Sequence, residues 1–263
     1  MSIRFTMNGL SAGYGRIRVL RDLEHPGVAA GRMVGLLGSN AAGKSTLLKV
    51  LAGLRPATGE ACFDGENLCS MPRGRRLGIA GYLPQTPPQS SRLLAWEVAI
   101  AAFRAAAPST PRHQVEARIQ EMFSRFELDA HAMQPVSTLS GGKRQLLGLA
   151  LVLARRTPLM LLDEPTSALD LRWQMQALAA VRSSVRRHGS VAVLALHDIN
   201  QAVQFCDEFM VLGEGRVLAA GPVDSIVTPD LLWRAYGVRG RIEKTSTGRT
   251  VVLIDNDEET PAA

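Results

Sequence analysis

Residues 33–46 read Met-Val-Gly-Leu-Leu-Gly-Ser-Asn-Ala-Ala-Gly-Lys-Ser-Thr. The apolar run Met33–Leu37 predicts a buried strand, and residues 46–52 predict a helix. Between them, residues 38–45 match the pattern G-x-x-x-x-G-K-[ST] in the strand–helix context that the pattern requires. Such a loop directs backbone N–H groups at phosphates, and the N-terminus of the helix adds a partial positive charge. The flanking elements therefore favour a phosphate-binding loop over an incidental glycine-rich turn.

Within this loop the residue types suggest individual roles. Lys44 can reach the β- and γ-phosphates of a nucleotide, and the Ser45 hydroxyl can bind Mg²⁺. Because an alanine side chain favours negative φ, we expect the loop to avoid the left-handed conformation at Ala41. The candidate nucleotide-binding residues of the loop are Gly38, Ser39, Asn40, Ala41, Ala42, Gly43, Lys44, Ser45 and Thr46.

Further apolar runs end abruptly at polar or glycine residues, at 80–83, 159–162 and 191–196. Runs that are apolar on both faces suit buried parallel strands, and the helical stretches between them indicate a doubly wound α/β sheet. The predicted fold class is α/β, a P-loop NTPase core with a mainly parallel sheet, an N-terminal antiparallel β layer and an inserted helical subdomain. The β layer is predicted from the first 30 residues and 61–67.

The chain is predicted to be a single domain of several parts. The nucleotide-binding core with its β layer takes residues 1–91 and 159–222, and the helical subdomain takes residues 92–158. Residues 223–263 form a C-terminal extension, of which 256–263 is predicted to be a disordered polar tail. Hairpins are predicted at residues 209–218 and 241–255.

The helical subdomain is predicted from its periodicity and from two prolines. Residues 93–107 form one helix, which Pro108 and Pro111 end. Thr110 is placed to cap the next helix, with Pro111 at the first helical position. This second helix has one apolar stripe, formed by Val115, Ile119, Met122, Phe123 and Phe126.

Polar residues follow the other apolar runs as the loop follows Met33–Leu37. Asp163 ends one run, where a carboxylate can hold Mg²⁺ through water, and Glu164 beside it can accept a proton from an attacking water. Gln85 and His197 follow two other runs. Taken alone, His197 would be an ordinary strand-end histidine. Because the carboxyl ends of parallel strands line the ligand crevice, their convergence predicts a site.

Composition narrows the classes further. Apolar residues make up 46% of the 263 residues, which favours a globular chain. The net charge is +6 with 5% aromatic residues, which we interpret as a solvated surface without a nucleic-acid site. The three cysteines fit a reduced, cytoplasmic protein, and neither a secretion signal nor a membrane-spanning run is predicted.

One more segment identifies a family. Leu139-Ser140-Gly141-Gly142-Lys143-Arg144-Gln145 resembles the LSGGQ signature of ABC ATPases, and residues 167–170 resemble their D-loop. The order of motifs matches that family in one register over residues 2–222. Glycines before an apolar helix, residues 146–154, also form a second anion-binding helix start. The competing interpretation is a glycine-rich turn between two helices.

The resemblance implies binding and hydrolysis of ATP with Mg²⁺ in a homodimer. Ser140, Gly141 and Gly142 would face the ATP of the opposite subunit, and Asp170 would lie in the D-loop. His197 would be the H-switch, and Gln85 the Q-loop residue that acts in catalysis and on Mg²⁺ with Ser45 and Asp163. Tyr14 would stack on adenine, or it is only an aromatic at a strand edge. Lys143 replaces the usual Gln or Glu, and Ser39 and Ala41 stand where many relatives have Pro and Gly.

Local stretches narrow the resemblance to importer ATPases. Residues 81–85, 168–172, 197–201 and 230–238 are similar to the ATPases of bacterial importers for iron–siderophore complexes, haem and vitamin B12. The resemblance implies two integral-membrane permease subunits, indirectly a substrate-binding protein, and a peripheral position at the cytoplasmic face of the inner or plasma membrane. The alternative is a soluble, non-transport ABC ATPase, as in iron–sulfur assembly.

Overall fold

The computed structural model describes residues 3–86 and 91–255. The polar tail predicted at 256–263 lies outside the described residues. In chain order the strands are β1 (Ile3–Tyr14), β2 (Ile17–Ala29), β3 (Met33–Leu37), β4 (Thr58–Phe63), β5 (Glu66–Asn67), β6 (Ala80–Leu83), β7 (Leu159–Asp163), β8 (Val191–Ala195), β9 (Glu208–Gly213), β10 (Arg216–Pro222), β11 (Gly240–Lys244) and β12 (Thr250–Ile254). The α-helices are α1 (Lys44–Leu51), α2 (Arg73–Ile79), α3 (Ala95–Ala106), α4 (Arg112–Arg125), α5 (Gly141–Arg155), α6 (Leu171–His188), α7 (Ile199–Phe205), α8 (Val223–Ile226) and α9 (Pro229–Tyr236).

The central sheet has the strand order β10-β9-β3-β8-β7-β6. Every pairing from β9 to β6 is parallel, and only the β9–β10 hairpin is antiparallel. The carboxyl ends of β3, β6, β7 and β8 therefore lie at one edge. This arrangement confirms the predicted mixed α/β class with a mainly parallel sheet.

The sheet is covered on both faces, which explains the uniformly apolar strands. All five residues of β3, β7 and β8 are buried. In β3, Val34 and Leu36 face a core formed with α1 and the β layer, whereas Met33 and Leu37 face the helical side. This period of two is the ordinary alternation of a strand. Each buried Leu or Val contributes about 1.5–3 kcal/mol relative to exposure.

The predicted β layer is the antiparallel sheet β2-β1-β4-β5. It covers α1 from the outside, since both contribute side chains to the same core. The hairpins predicted at 209–218 and 241–255 are also present, as β9–β10 and β11–β12.

The helical region between β6 and β7 contains α3, α4 and α5, with short 3-10 turns at Asp129–His131 and Val136–Thr138. Trp96 of α3 packs edge-on against Phe123 of α4, with ring centroids 5.4 Å apart. The predicted apolar stripe of α4 is buried throughout, at Val115, Ile119, Met122, Phe123 and Phe126.

The prediction for the start of α4 is wrong. The helix begins at Arg112, and Pro111 rather than Thr110 occupies the N-cap, without a side-chain cap. Pro111 has an extended ψ of 141°, so the chain turns into the helix one residue later than expected. Within the described residues, no helix combines the length and apolar character needed to cross a bilayer.

Candidate active site

The loop between β3 and α1 is held by two glycines in conformations closed to other residues. Gly38 has φ +136°, and a Cβ there would lie 2.2 Å from the carbonyl oxygen of Leu212. Gly43 caps α1 with φ +104°, and a Cβ there would lie 2.6 Å from Leu20. The first N–H groups of α1 have no carbonyl partner within the helix. The loop therefore ends at a helix N-terminus suited to anions.

The expectation for Ala41 is wrong. Its φ is +64°, in the left-handed region. Left-handed backbone costs a non-glycine residue about 1–2 kcal/mol. The turn of the loop between Ser39 and Ala42, whose N–H donates to the Ser39 carbonyl at 3.3 Å, overrides this preference.

Lys44 is the first residue of α1, and its side chain extends back into the preceding loop. Its Nζ donates to the carbonyl of Gly38 at 2.6 Å and to that of Ser39 at 2.9 Å. Burial lowers the pKa of Lys44, and the nearby carboxylates of Glu164 and Asp163 oppose that shift. The Lys44 ammonium has lost part of its hydration through burial, and a bound phosphate would compensate for that loss.

Asp163 ends β7 beside the start of α1. Ser45 Oγ donates to Asp163 Oδ1 at 2.9 Å, and the Tyr82 hydroxyl donates to Oδ2 at 3.4 Å. Only 1% of Asp163 is exposed, and burial raises the pKa of its carboxyl. A cation next to this carboxylate would favour its ionised form.

Glu164 brings together the polar residues that follow β6, β7 and β8. Its Oε1 lies 2.6 Å from Nε2 of His197 and accepts a hydrogen bond from Nε2 of Gln85 at 2.7 Å. The backbone of Glu164 has φ +52°, and its N–H donates to the carbonyl of Ala195 at 3.2 Å. The predicted convergence of these side chains is therefore present.

Gln85, Glu164 and His197 line the same cleft as the phosphate loop, and its volume is about 570 Å³. A larger cavity of about 880 Å³ lies by α7 and the β11–β12 hairpin, away from the loop. The cleft is lined by Val19, Asn40, Ala41, Ala42, Gly43, Lys44, Ser45, Thr46, Gln85, Glu164 and His197.

Tyr14 lies beside the cleft rather than in its wall. A hydrogen bond with Thr46 lowers the pKa of Tyr14, so its hydroxyl reaches the first turn of α1. The guanidinium of Arg55 lies 3.9 Å from the centroid of the ring. One face of Tyr14 is thus covered by a cation, and a flat ligand would have to use the other.

The segment 140–142 and Asp170 lie outside the cleft. Ser140 is the N-cap of α5, which already begins at Gly141, and its Oγ accepts from the N–H of Lys143 at 3.3 Å. The Lys143 ammonium donates to the carbonyl of Glu127 and thus points away from the glycines. Asp170 caps α6 through the N–H of Trp173 at 3.0 Å.

Sequence reasoning missed Gln145, which connects α5 to the site. This side chain is completely buried, and its Nε2 donates to the backbone carbonyl of Glu164 at 3.0 Å. The signal was a polar residue directly before the apolar run 146–154. Gln145 thus holds the backbone from which the Glu164 carboxylate projects.

Comparison with known proteins agrees with this arrangement. The family model described as ABC transporter matches residues 25–167, more than half of the chain. The ferric enterobactin transport ATP-binding protein of Escherichia coli K12 is 32% identical over 96% of this chain and 94% of its own length. The hemin import ATP-binding protein of Nocardia farcinica is 40% identical over 85% of this chain and 78% of its own.

A third relative is longer than this chain. The cobalamin import ATP-binding protein of Halobacterium salinarum is 32% identical over 98% of this chain, which spans only 65% of that relative's length. Among solved structures, an ATP-binding subunit of an ABC transporter superposes with a TM-score of 0.76 at 28% identity, covering 90% of this chain and 94% of the other. A metal-chelate-type ABC transporter in an inward-facing conformation shares the fold, with a TM-score of 0.78 at 21% identity and 97% of each chain covered.

The chain therefore belongs to the ABC transporter family. Its relatives and structural neighbours are the ATP-binding components of such transporters.

Proposed function

We propose that this chain is the ATP-hydrolysing subunit of a membrane importer for an iron–siderophore, haem or cobalamin-type substrate. The observation that carries the enzymatic part is the Glu164 carboxylate, held by Gln85 and His197 at the cleft of the phosphate loop. The substrate class is supported by the relatives, whose names specify cobalamin, enterobactin and hemin.

In this proposal the loop residues bind the triphosphate of ATP. Asn40 to Thr46 line the cleft, and the Lys44 ammonium exchanges its loop carbonyls for phosphate oxygens. Tyr14 stacks on adenine with the face opposite Arg55.

Three side chains near the start of α1 and in the adjoining cleft have a chemistry that fits Mg²⁺. Ser45, Gln85 and Asp163 offer the hard oxygen donors that this ion prefers. Among residues 3–86 and 91–255, no cluster of three or more His, Cys, Asp or Glu side chains could hold a metal. The phosphate oxygens of ATP would therefore complete the site. When bound, Mg²⁺ would neutralise the charge of the transferring phosphate.

Hydrolysis requires a water that attacks the γ-phosphorus while the bond to the ADP oxygen breaks. Glu164 takes the proton that the water loses, and the products are ADP and inorganic phosphate. His197 holds the γ-phosphate and the water, and Gln85 positions Glu164 and the metal. Both Gln85 and His197 must release Glu164 Oε1 in part, because the water needs access to the carboxylate.

The site is completed by a second copy of the chain. Ser140, Gly141 and Gly142 lie outside the cleft of their own chain, so in a homodimer they face the ATP held by the partner. Asp170 lies in the D-loop between the two sites. Each homodimer binds two integral-membrane permease subunits at the cytoplasmic face of the membrane, and through them a substrate-binding protein. Residues 92–158 act as the helical subdomain, inserted into a core of residues 1–91 and 159–222.

The enzymatic proposal is tested by removing one group at a time. Lys44→Ala should weaken ATP binding and abolish hydrolysis, because the phosphates lose their cation. Glu164→Gln should keep ATP affinity and stop turnover, because an amide cannot take the proton. Phosphate release and ATP binding are measured on contaminant-free preparations, and wild-type turnover in Lys44→Ala would contradict the loop assignment.

Transport in vesicles with the cognate permease tests the import role.

A further inference from the structure

The C-terminal residues 223–255 are attached to the core rather than appended to it. Leu231, Leu232 and Ala235 of α9 are buried in the same core as Met33 and Leu37 of β3. Thr228 caps α9, accepting from the N–H of Leu231 at 3.1 Å. This packing brings the end of α9 to the end of β3, where the phosphate loop begins.

At that point a side chain of α9 contacts the loop. The backbone N–H of Gly38 donates to the hydroxyl oxygen of Tyr236, with 3.2 Å between N and O. Burial raises the pKa of Tyr236, so its hydroxyl is a neutral phenol at physiological pH. The contact joins residues 198 positions apart in the sequence.

Both backbone polar groups of Gly38 are therefore hydrogen-bonded. Its N–H is held by Tyr236, and its carbonyl accepts from Lys44 Nζ at 2.6 Å. The carbonyl of Leu212, 2.2 Å from where a Cβ of Gly38 would stand, blocks displacement toward β9. A change in the backbone torsions of Gly38 would disturb one or both of these contacts.

The C-terminal hairpin makes a second attachment near the cleft. The side-chain amide of Asn200 donates to the carbonyl of Val252 at 3.0 Å, and its Oδ1 accepts from the Val252 N–H at 2.8 Å. Asn200 lies in the first turn of α7, three positions after His197. The C-terminal segment thus touches both the loop and the helix that follows His197.

We propose that Tyr236 is a positioning residue for the phosphate loop, and that α9 and the β11–β12 hairpin form a clamp on the nucleotide site. The Tyr236 hydroxyl holds the backbone N–H of Gly38, and with it the start of the phosphate loop, in the conformation that binds phosphate. This proposal rests on the assignment of residues 38–46 to nucleotide phosphates.

The clamp predicts a specific kinetic signature. If the loop already has its binding conformation before the nucleotide binds, it stabilises the bound substrate and the transition state equally. Losing that conformation should therefore raise KM and leave kcat nearly unchanged. A tyrosine that only fills space would instead change the melting temperature and leave the kinetics of the folded molecules alone.

The test is Tyr236→Phe, which removes one oxygen and keeps the ring. We expect the Kd for MgADP and the KM for MgATP to rise roughly two- to tenfold, the range for one lost hydrogen bond, with kcat nearly unchanged. MgADP is the probe for binding, because it occupies the loop without turnover. Hydrogen exchange of the Gly38 amide should also become faster in this variant.

The matched control is Thr157→Val, which also removes one buried hydroxyl hydrogen bond, from Thr157 Oγ1 to the carbonyl of Leu159 at 3.1 Å, but just before β7 and outside the clamp. It should lower the melting temperature and leave the Kd for MgADP unchanged. If Tyr236→Phe binds MgADP as tightly as the wild type, the clamp is overturned and the proposed function stands. A wild-type protein that binds no MgADP would overturn both.

Discussion

At the scale of single residues, Glu164 shows how a strained backbone can aim a side chain. Its φ of +52° is unusual for a residue with a Cβ. The conformation is held on both sides, since its N–H donates to Ala195 and its carbonyl accepts from Gln145 and from the Ser167 hydroxyl. The strain is thus balanced by local hydrogen bonds, and the carboxylate is directed to Gln85 and His197.

His197 is the residue for which a catalytic and a structural role predict different measurements. Its side chain is 49% exposed, so little packing is lost on truncation. We expect His197→Ala to melt near the wild type but to hydrolyse ATP at least roughly tenfold slower, about 1.4 kcal/mol in barrier. Steady-state ATPase titration and a melting curve on the same preparation measure both effects.

A second histidine serves as the control for His197. His131→Ala removes an imidazole that contacts Gln134 at 3.0 Å, outside the cleft, and should leave kcat unchanged. Unaltered kcat with a lowered melting temperature in His197→Ala would assign His197 a structural role only.

Ala41 offers a prediction about stability. Ala41→Gly removes the penalty of about 1–2 kcal/mol for the left-handed conformation. Because glycine loses more conformational freedom on folding than alanine, the substitution also costs about 0.5–1 kcal/mol. The net gain in the free energy of unfolding lies between about 0 and 1.5 kcal/mol, and its midpoint corresponds to roughly 2 °C in melting temperature. The matched control Ala42→Gly has no such strain to relieve and should destabilise the protein. Calorimetry on both variants checks the difference, and a lower melting temperature for Ala41→Gly would contradict it.

At the scale of elements, the β layer contains a buried histidine that makes it sensitive to acid. His25 in β2 is 3% exposed, its Nδ1 accepts from the N–H of Gly27, and its Nε2 has no partner among the described residues. Burial lowers the pKa of His25 from 6.5 to about 4. Below pH 6.5 the unfolded chain therefore binds a proton that the folded chain refuses.

Proton uptake by His25 in the unfolded chain favours unfolding at low pH. The free energy of unfolding should fall as the pH drops from 6.5 toward 4, with about 2 kcal/mol lost at pH 5 through His25. His25→Asn keeps an acceptor for Gly27 and cannot titrate, so its unfolding free energy should depend less on pH. Urea unfolding at pH 7.5 and 5.0 measures this, and His113→Asn, on the exposed face of α4, should behave as the wild type. Equal pH dependence in His25→Asn and wild type would exclude His25 as the cause.

The elements also show what the sequence could predict. Apolar runs predicted β3, β6, β7 and β8, because buried parallel strands are apolar on both faces. The convergence of Gln85, Glu164 and His197 followed from the common direction of those strands. The contact of Tyr236 with Gly38 could not be predicted, because it joins segments 198 positions apart, and the φ of Ala41 is set by the turn of the loop from Ser39 to Ala42 rather than by the preference of alanine. Local preference alone gave the wrong φ at Ala41 and the wrong cap at Thr110.

At the scale of the whole molecule, the proposed homodimer predicts that ATP promotes association of two chains. Ser140 and the glycines after it lie outside the cleft of their own chain, and in the proposed dimer they contact the ATP of the partner. Glu164→Gln with ATP and Mg²⁺ should elute as a dimer in size-exclusion chromatography, because the sandwich cannot be resolved by hydrolysis. Ser140→Arg in the same background places bulk and charge at the expected interface and should remain monomeric. A monomer of Glu164→Gln that still hydrolyses ATP would contradict both the base and the dimer.

The position of β3 in the sheet has a consequence for how the chain matures on the ribosome. β3 is the first strand of its sheet to be synthesised, yet it lies between β8 and β9, which begin at Val191 and Glu208. Until those strands emerge, the nascent chain carries an apolar strand with both edges unpaired, the kind of surface that aggregates or recruits chaperones. The phosphate loop directly follows the carboxyl end of β3. Its residues are therefore made early, but a translating chain can acquire nucleotide only after most of its length has left the exit tunnel.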